Sequence, residues 1–205
     1  MFNTGNHPYL AVPQKQTAKQ FLMLDGQQLK GSFLVAMPSL SGDFFEQSII
    51  LLIEHNKEGA FGLTINKVSE YQLSDLIPQF TTKAGSEPVL VGGPVAVNQM
   101  FFLHSSDSIF AGTVAINPHA NLTSTDDLIQ QCAEGPNPEY LLPVLGYAGW
   151  APNQLEDEII RDAWLVTPFS QDILFTGDAA GKPQRAAQQL GIDLNLVGQH
   201  SGRDG

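Results

Sequence analysis

An apolar run at residues 49–53 ends abruptly in the polar triplet Glu54, His55 and Asn56. Lys57, Glu58 and Gly59 make a corner, and a second apolar run, 60–65, ends in Asn66. Two apolar runs joined by a short polar stretch with a glycine predict a β-hairpin over residues 48–66. Their weak alternation predicts strands covered on both faces. The hairpin therefore reads as the middle of the core, with polar residues gathered at one rim. Further short strands are predicted at 32–37, where Pro38 stops the run, and at 89–91, 100–103, 112–116, 140–145, 164–166 and 173–175. The strand at 100–103 delivers His104 at its end.

Helical signals are fewer. A single turn at 43–47 would push Phe44 and Phe45 into the core, and a short helix at 73–77 stops at Pro78. A helix opening near Asp126 and Asp127 has Leu128, Ile129 and Cys132 as its apolar side and Gly135 as its stop. Another begins near Asn153, with Leu155, Ile159, Ile160 and Ala163 as its buried stripe. Its residues Glu156, Asp157, Glu158 and Asp162 are expected to face outward, with Arg161 pairing Asp157. A last helix covers 183–190, closed by Gly191. Hairpins and single strands with isolated helices between them point to an α+β fold rather than regular βαβ alternation. The expected organisation is a flexible arm at 1–28, one domain at 29–198 and a frayed tail at 199–205.

Charge narrows the function classes. The 205 residues carry a formal charge of −11, and the ten Lys and Arg are scattered along the chain. Direct nucleic-acid binding needs clustered basic residues, so it is disfavoured. A single cysteine, Cys132, excludes an internal disulfide framework and fits a reducing compartment. No run approaches the roughly 18 apolar residues of a membrane helix. No charged segment precedes an apolar one at the N-terminus, so a cytoplasmic location is expected.

Glu54, His55, Asn56, Asn66 and His104 all fall at predicted strand ends, where they could assemble a metal or acid–base site. The competing reading is that they hydrogen-bond the hairpin corner and satisfy backbone groups. Gly92-Gly93-Pro94 invites a phosphate-loop reading but lacks the P-loop Lys-Ser/Thr and reads better as a tight turn. Cys132 reads as a small buried hydrophobe. The stretch 146–150, with Tyr147 and Trp150 among glycines, reads equally as a partner or ligand platform or as a packed corner. No catalytic triad and no metal motif can be assembled from spacing, and no cofactor is implied.

Several of these stretches, taken together and in order, resemble the YqgE/AlgH family of small bacterial proteins. They are 33–38, Glu54-His55-Asn56 with 59–63, Asn66, 92–95, Phe102-Leu103-His104, 146–150, Gln154-Leu155-Glu156 with Glu158, Ala163-Trp164 and Leu174-Phe175. The resemblance runs from about residue 31 to residue 197. It implies one α+β domain with a bifurcated sheet, partly closed into a small barrel around helices. It also carries a transcriptional-regulator label, after a link with alginate production, and supplies no catalytic set. Many members have a cysteine just before the Glu-His-Asn stretch; here that position is Ile53. The expectation is a non-enzymatic regulatory protein acting through a protein partner. Its candidate contact residues are Glu54, His55, Asn56, Asn66, Gly92, Gly93, Pro94, His104, Tyr147, Gly149, Trp150 and Gln154. The alternative is a metal- or small-ligand-dependent enzyme or binder built on Glu54, His55 and His104.

Overall fold

The computed structural model describes residues 29–81 and 83–200. The expected arm at 1–28 and the last residues of the expected tail lie outside them. Ten strands form the sheet: β1 (Phe33–Ala36), β2 (Ile49–Asn56), β3 (Gly59–Thr64), β4 (Val68–Gln72), β5 (Pro88–Val91), β6 (Val95–Ser105), β7 (Val114–Asn117), β8 (Ala120–Thr123), β9 (Leu141–Trp150) and β10 (Trp164–Thr167). The helices are α1 (Leu73–Leu76), α2 (Asp126–Glu134), α3 (Gln154–Ile160), α4 (Gln171–Phe175), α5 (Lys182–Gln188) and α6 (Leu194–His200). No helix among the described residues is long and apolar enough to cross a membrane.

The main path of the sheet runs β10-β1-β2-β3-β9-β6-β8-β7, and β4 and β5 branch from it. The predicted hairpin is β2–β3, with Asn56 opposite Gly59. Its runs do not alternate because both faces are covered. Phe33, Val35, Ile49, Leu51 and Ile53 enter one core, while Leu34, Ala36, Ile50 and Leu52 enter a second under α3. A third cluster gathers Leu73, Phe80, Phe102, Leu128 and Cys132 around α1 and α2.

The sheet forks at β9. One edge of β9 pairs with β6. Its other edge is shared: β5 runs parallel to it at Val144 and Leu145, and β3 runs antiparallel to it from Ala148 to Trp150. Gly92 and Gly93 sit where the partner changes. The Gly92 N–H donates to the Leu145 carbonyl, and the Gly92 carbonyl accepts from Thr64 N–H. A Cβ on Gly93 would fall 2.1 Å from the Tyr147 carbonyl carbon, so only glycine fits. Gly146, with φ of 68°, puts a kink in β9 at the same place. Before it, Leu142 and Val144 face the first core; after it, Tyr147 does. The kink thus shifts the alternation by one residue and sends Ala148 and Trp150 into the core beneath α3.

The path ends open at β10 and β7, so hydrogen bonds do not close a barrel. The two ends approach through side chains: His119, in the β7–β8 turn, lies parallel to Phe169 just after β10, with ring centroids 6.4 Å apart. The segment expected to be a strand at 173–175 is instead part of α4. The Ser170 side chain caps its start by accepting from Ile173 N–H, and buried Lys182 donates to the carbonyls of Ile173, Leu174 and Thr176 at its end. The expected helical turn at 43–47 is a series of reverse turns, of which Phe45 reaches the core and Phe44 stays exposed. β4, β8 and the first half of β6 extend the predicted strand set, and α6 reaches His200, past the point where fraying was expected.

The fork makes a sharp stability prediction. Gly93→Ala forces a methyl into the backbone of β9 and should cost about 3 kcal/mol or more. Gly42→Ala, where φ is 83° but nothing lies within 4 Å, should cost about 1 kcal/mol. Urea unfolding of the two variants checks this; equal midpoints would refute the role given to Gly93.

Candidate functional site

Register places two of the candidate residues, His55 and Trp150, in one row. His55 on β2 pairs with Ala60 on β3, and Ala60 pairs with Trp150 on β9. Helix α3 lies over this row, held by Leu155 and Ile159 in the second core. Glu156 reaches back to His55, whose Nε2 donates to its carboxylate at 3.0 Å. His55 is only 5% exposed, and its Nδ1 has no hydrogen-bond partner.

Two residues further along α3, Glu158 holds a second polar cluster together. Both indoles of the chain, Trp150 and Trp164, donate from Nε1 to Glu158 Oε2 at 2.8 Å. Gln154, one helical turn earlier, donates to Glu158 Oε1 at 2.9 Å and accepts from Ala151 N–H with its own oxygen. Phe45 stacks on Trp150 and meets Trp164 edge-on. Each polar atom of this aromatic cluster is thereby paired inside an apolar setting.

These contacts correct the expectation for α3. Glu156 and Glu158 do not simply face solvent; their carboxylates serve a buried histidine and two buried indoles. Ile160, expected in the buried stripe, is exposed, because the helix ends there and Asp162 takes a φ of 58°. The expected Arg161–Asp157 ion pair is not found among the described residues, where Arg185 pairs with Asp172 and His55 hydrogen-bonds Glu156. The tryptophan–glutamate cluster had one faint sequence signal, the i, i+4 spacing of Gln154 and Glu158. The His55–Glu156 pair had none, since its members are 101 positions apart.

The other candidates do not join this row. Glu54 is exposed, on the opposite face of β2, and accepts from Asn56, whose own oxygen accepts from Glu58 N–H. Asn66 ties the base of the hairpin together, accepting from Ile49 N–H and donating to the Gln47 carbonyl. Gly92 and Gly93 belong to the fork, and Pro94 is exposed just after it. Tyr147 packs with Phe61 and Phe101 on the first core, the opposite face of β9 from Trp150. Gly149 lies opposite Phe61. The stretch 146–150 is therefore a strand interior with its aromatics on different faces, and Trp150 is only 7% exposed.

His104 is farther still. It pairs with Leu141 at one end of β9, while the His55 row meets Trp150 at the other. Nine residues of strand separate the two, roughly 30 Å at about 3.3 Å per residue. A common rim of Glu54, His55 and His104 does not exist. His104 is fully buried, packed edge-on against Phe110. Its Nδ1 donates to the Ser105 carbonyl at 2.9 Å, so Nε2 accepts from the Thr123 hydroxyl, also at 2.9 Å. Thr123 can accept in turn from Thr113, and Thr113 accepts from Phe110 N–H. The chain of donors runs one way and is complete with a neutral imidazole. Burial pushes the His104 pKa down, against smaller upward pulls from the Ser105 carbonyl and the Asp107 charge.

Cys132 is fully buried, and burial alone pushes its thiol up to about 11, so it is not a thiolate at neutral pH. Among the described residues no three His, Cys, Asp or Glu side chains gather as metal ligands.

The chain is similar to known proteins over most of its length. The family model described as AlgH-like matches residues 33–195. A UPF0301 protein of Pseudomonas putida is 38% identical over 180 residues, covering 85% of this chain and 95% of that protein. A UPF0301 protein of Serratia proteamaculans is 37% identical over 183 residues, covering 85% and 98%. The solution structure of the AlgH protein from Pseudomonas aeruginosa matches with a TM-score of 0.70 and 33% identity, covering 86% of this chain and 95% of that one. Protein DIP2367 from Corynebacterium diphtheriae shares the fold, with a TM-score of 0.67 at 22% identity, covering 87% and 96%.

Two predictions come from the buried polar groups. Glu158→Ala strands two indole N–H groups and should cost about 2–4 kcal/mol, with altered tryptophan fluorescence; Glu158→Gln, which keeps an acceptor, should cost less. Because the folded-state pKa of His104 lies below its unfolded value of about 6.5, the unfolded chain takes up that proton first. Stability should therefore fall as pH drops below about 6.5, and the slope should be shallower in His104→Gln. Denaturant titrations between pH 7 and pH 5 test this, and identical slopes would show that His104 does not titrate on unfolding.

Proposed function

The chain belongs to the AlgH-like family, and on that premise we propose that it is a non-enzymatic, cytoplasmic regulatory protein that binds a protein partner along the free edge of β4. The observation that carries this reading is the state of that strand. Within the described sheet β4 pairs only with β5, and four of its five residues are exposed. Val68 is 52% and Tyr71 43% exposed. An uncovered edge with accessible apolar side chains is the usual template for adding a strand from another chain.

The acidity of the protein gives the partner its character. The net charge is −11, and Glu70 projects from β4 itself. An extended segment rich in Lys or Arg would gain backbone pairing from the edge and charge complementarity from its surroundings. The same charge disfavours direct nucleic-acid binding, so a regulatory effect on transcription would pass through the protein partner. The polar groups first considered for catalysis support the non-enzymatic reading, since His104 and Asn66 spend their hydrogen bonds on the fold.

The test uses the full chain as bait in extract from its native cells, followed by titration of each purified partner. A Val68→Lys/Tyr71→Lys chain should lose the partner by at least tenfold in affinity, whereas Ile160→Lys, on exposed α3, should bind as before. Equal binding by all three chains would overturn the β4 edge as the docking site.

A further inference from the structure

Between the two ends of the sheet lies a half-open cleft of about 480 Å³, independent of the β4 edge. Its walls come from the turn before β1, the β7–β8 turn and the residues following β10. Phe169, Pro118 and Leu190 make it mainly apolar. His119 and Phe169 contribute rings whose planes differ by only 3°.

Polar groups in the cleft converge with one kind of chemistry. Thr167 lines it and is only 1% exposed, yet its hydroxyl has no hydrogen-bond partner. Asn117 also lines it, and its Nδ2 is likewise buried without a partner. The Asn117 oxygen is committed, accepting from His119 N–H and Ala120 N–H, so the amide orientation is fixed and the NH2 is a pure donor. Lys30 is at the rim, and no Asp or Glu lines the cleft. In a chain with a net charge of −11, this is a local setting that favours an anion.

Two buried, unpaired groups cost stability in the free fold and would strengthen binding to a ligand that pairs them. A hydroxyl, an amide NH2 and an ammonium all offer hydrogens, so the ligand must offer acceptors. Apolar walls with parallel rings ask for a flat, apolar body. We propose that this cleft binds a small aromatic carboxylate, its ring system against Phe169 and His119 and its carboxylate oxygens on Asn117 Nδ2, Thr167 Oγ1 and Lys30 Nζ. The volume accommodates a one- or two-ring acid.

The experiment is an NMR titration of the isotope-labelled full chain with 2-naphthylacetate, with neutral 2-naphthylacetamide beside it. Saturable shifts should appear at the Asn117 side-chain NH2 and at the Thr167 and His119 amides, and the acid should bind at least tenfold tighter than the amide. Thr167→Val and Asn117→Asp should each weaken the acid at least tenfold. Asn117→Asp keeps the oxygen that organises the turn, and Thr167→Val removes an unpaired hydroxyl, so its melting temperature should not fall. That control separates lost binding from lost folding. No saturable shifts at millimolar probe, shifts mapping elsewhere, equal affinity for acid and amide, or variants that bind like the unmodified chain would each overturn the proposal.

Discussion

The structure depends on one close approach, the contact of Gly92 and Gly93 with the backbone of β9. A sheet that branches must let one strand change partners along the same edge. At the branch the two partners and the shared strand crowd together, and there is no room for side chains. Gly92 and Gly93 admit the neighbouring backbone, and Gly146 kinks the shared strand so that its later residues point into a different core. Three clusters that would otherwise need separate sheets are thereby served by one. The hairpin, α3 and the cleft between the sheet ends all take their positions from this arrangement.

The second organising feature is the use of carboxylates inward from a helix that reads as polar. Glu156 and Glu158 both leave α3 toward the sheet, but to different partners, because residues two apart on a helix lie on different sides of it. One secures a buried imidazole at the end of the hairpin. The other gathers both indoles of the chain. Buried hydrogen bonds of this kind add modest net stability but penalise any packing that leaves them unmade, so they fix which way the helix lies. That geometry also explains why residues that look like a catalytic supply are engaged in holding the fold.

Much of the architecture was legible in the sequence. The hairpin at 48–66 could be read from two apolar runs and a glycine corner, whereas the paired glycines at 92 and 93 read only as a tight turn and the branching of the sheet was implied by the family resemblance. The co-linear motifs identified the family. What could not be read was distance. His55 and His104 are both strand-end histidines, and nothing local says that they sit at opposite ends of β9; only the register does. The short segment 173–175 has β-branched and aromatic content that suits a strand, and it is helical because Ser170 caps it and Lys182 reaches its last carbonyls from several residues away. β8 was missed because Asn121 and Thr123 are polar, yet both are buried. Tyr147 and Trp150 look like one patch because the Gly146 kink, and the alternation it resets, cannot be counted from spacing.

The placement of β9 also governs how the chain can fold as it is made. β3, β5 and β6 are all finished well before β9 leaves the ribosome, and each needs β9 as a neighbour. β1 waits longer, since its second partner is β10. The N-terminal half therefore emerges with several apolar strand edges unpaired and cannot close its cores by local contacts. Long-range pairing of this sort is slow and leaves the growing chain open to association with other chains until the last strands arrive. The architecture that holds the mature protein together thus transfers its main hazard to the interval of synthesis.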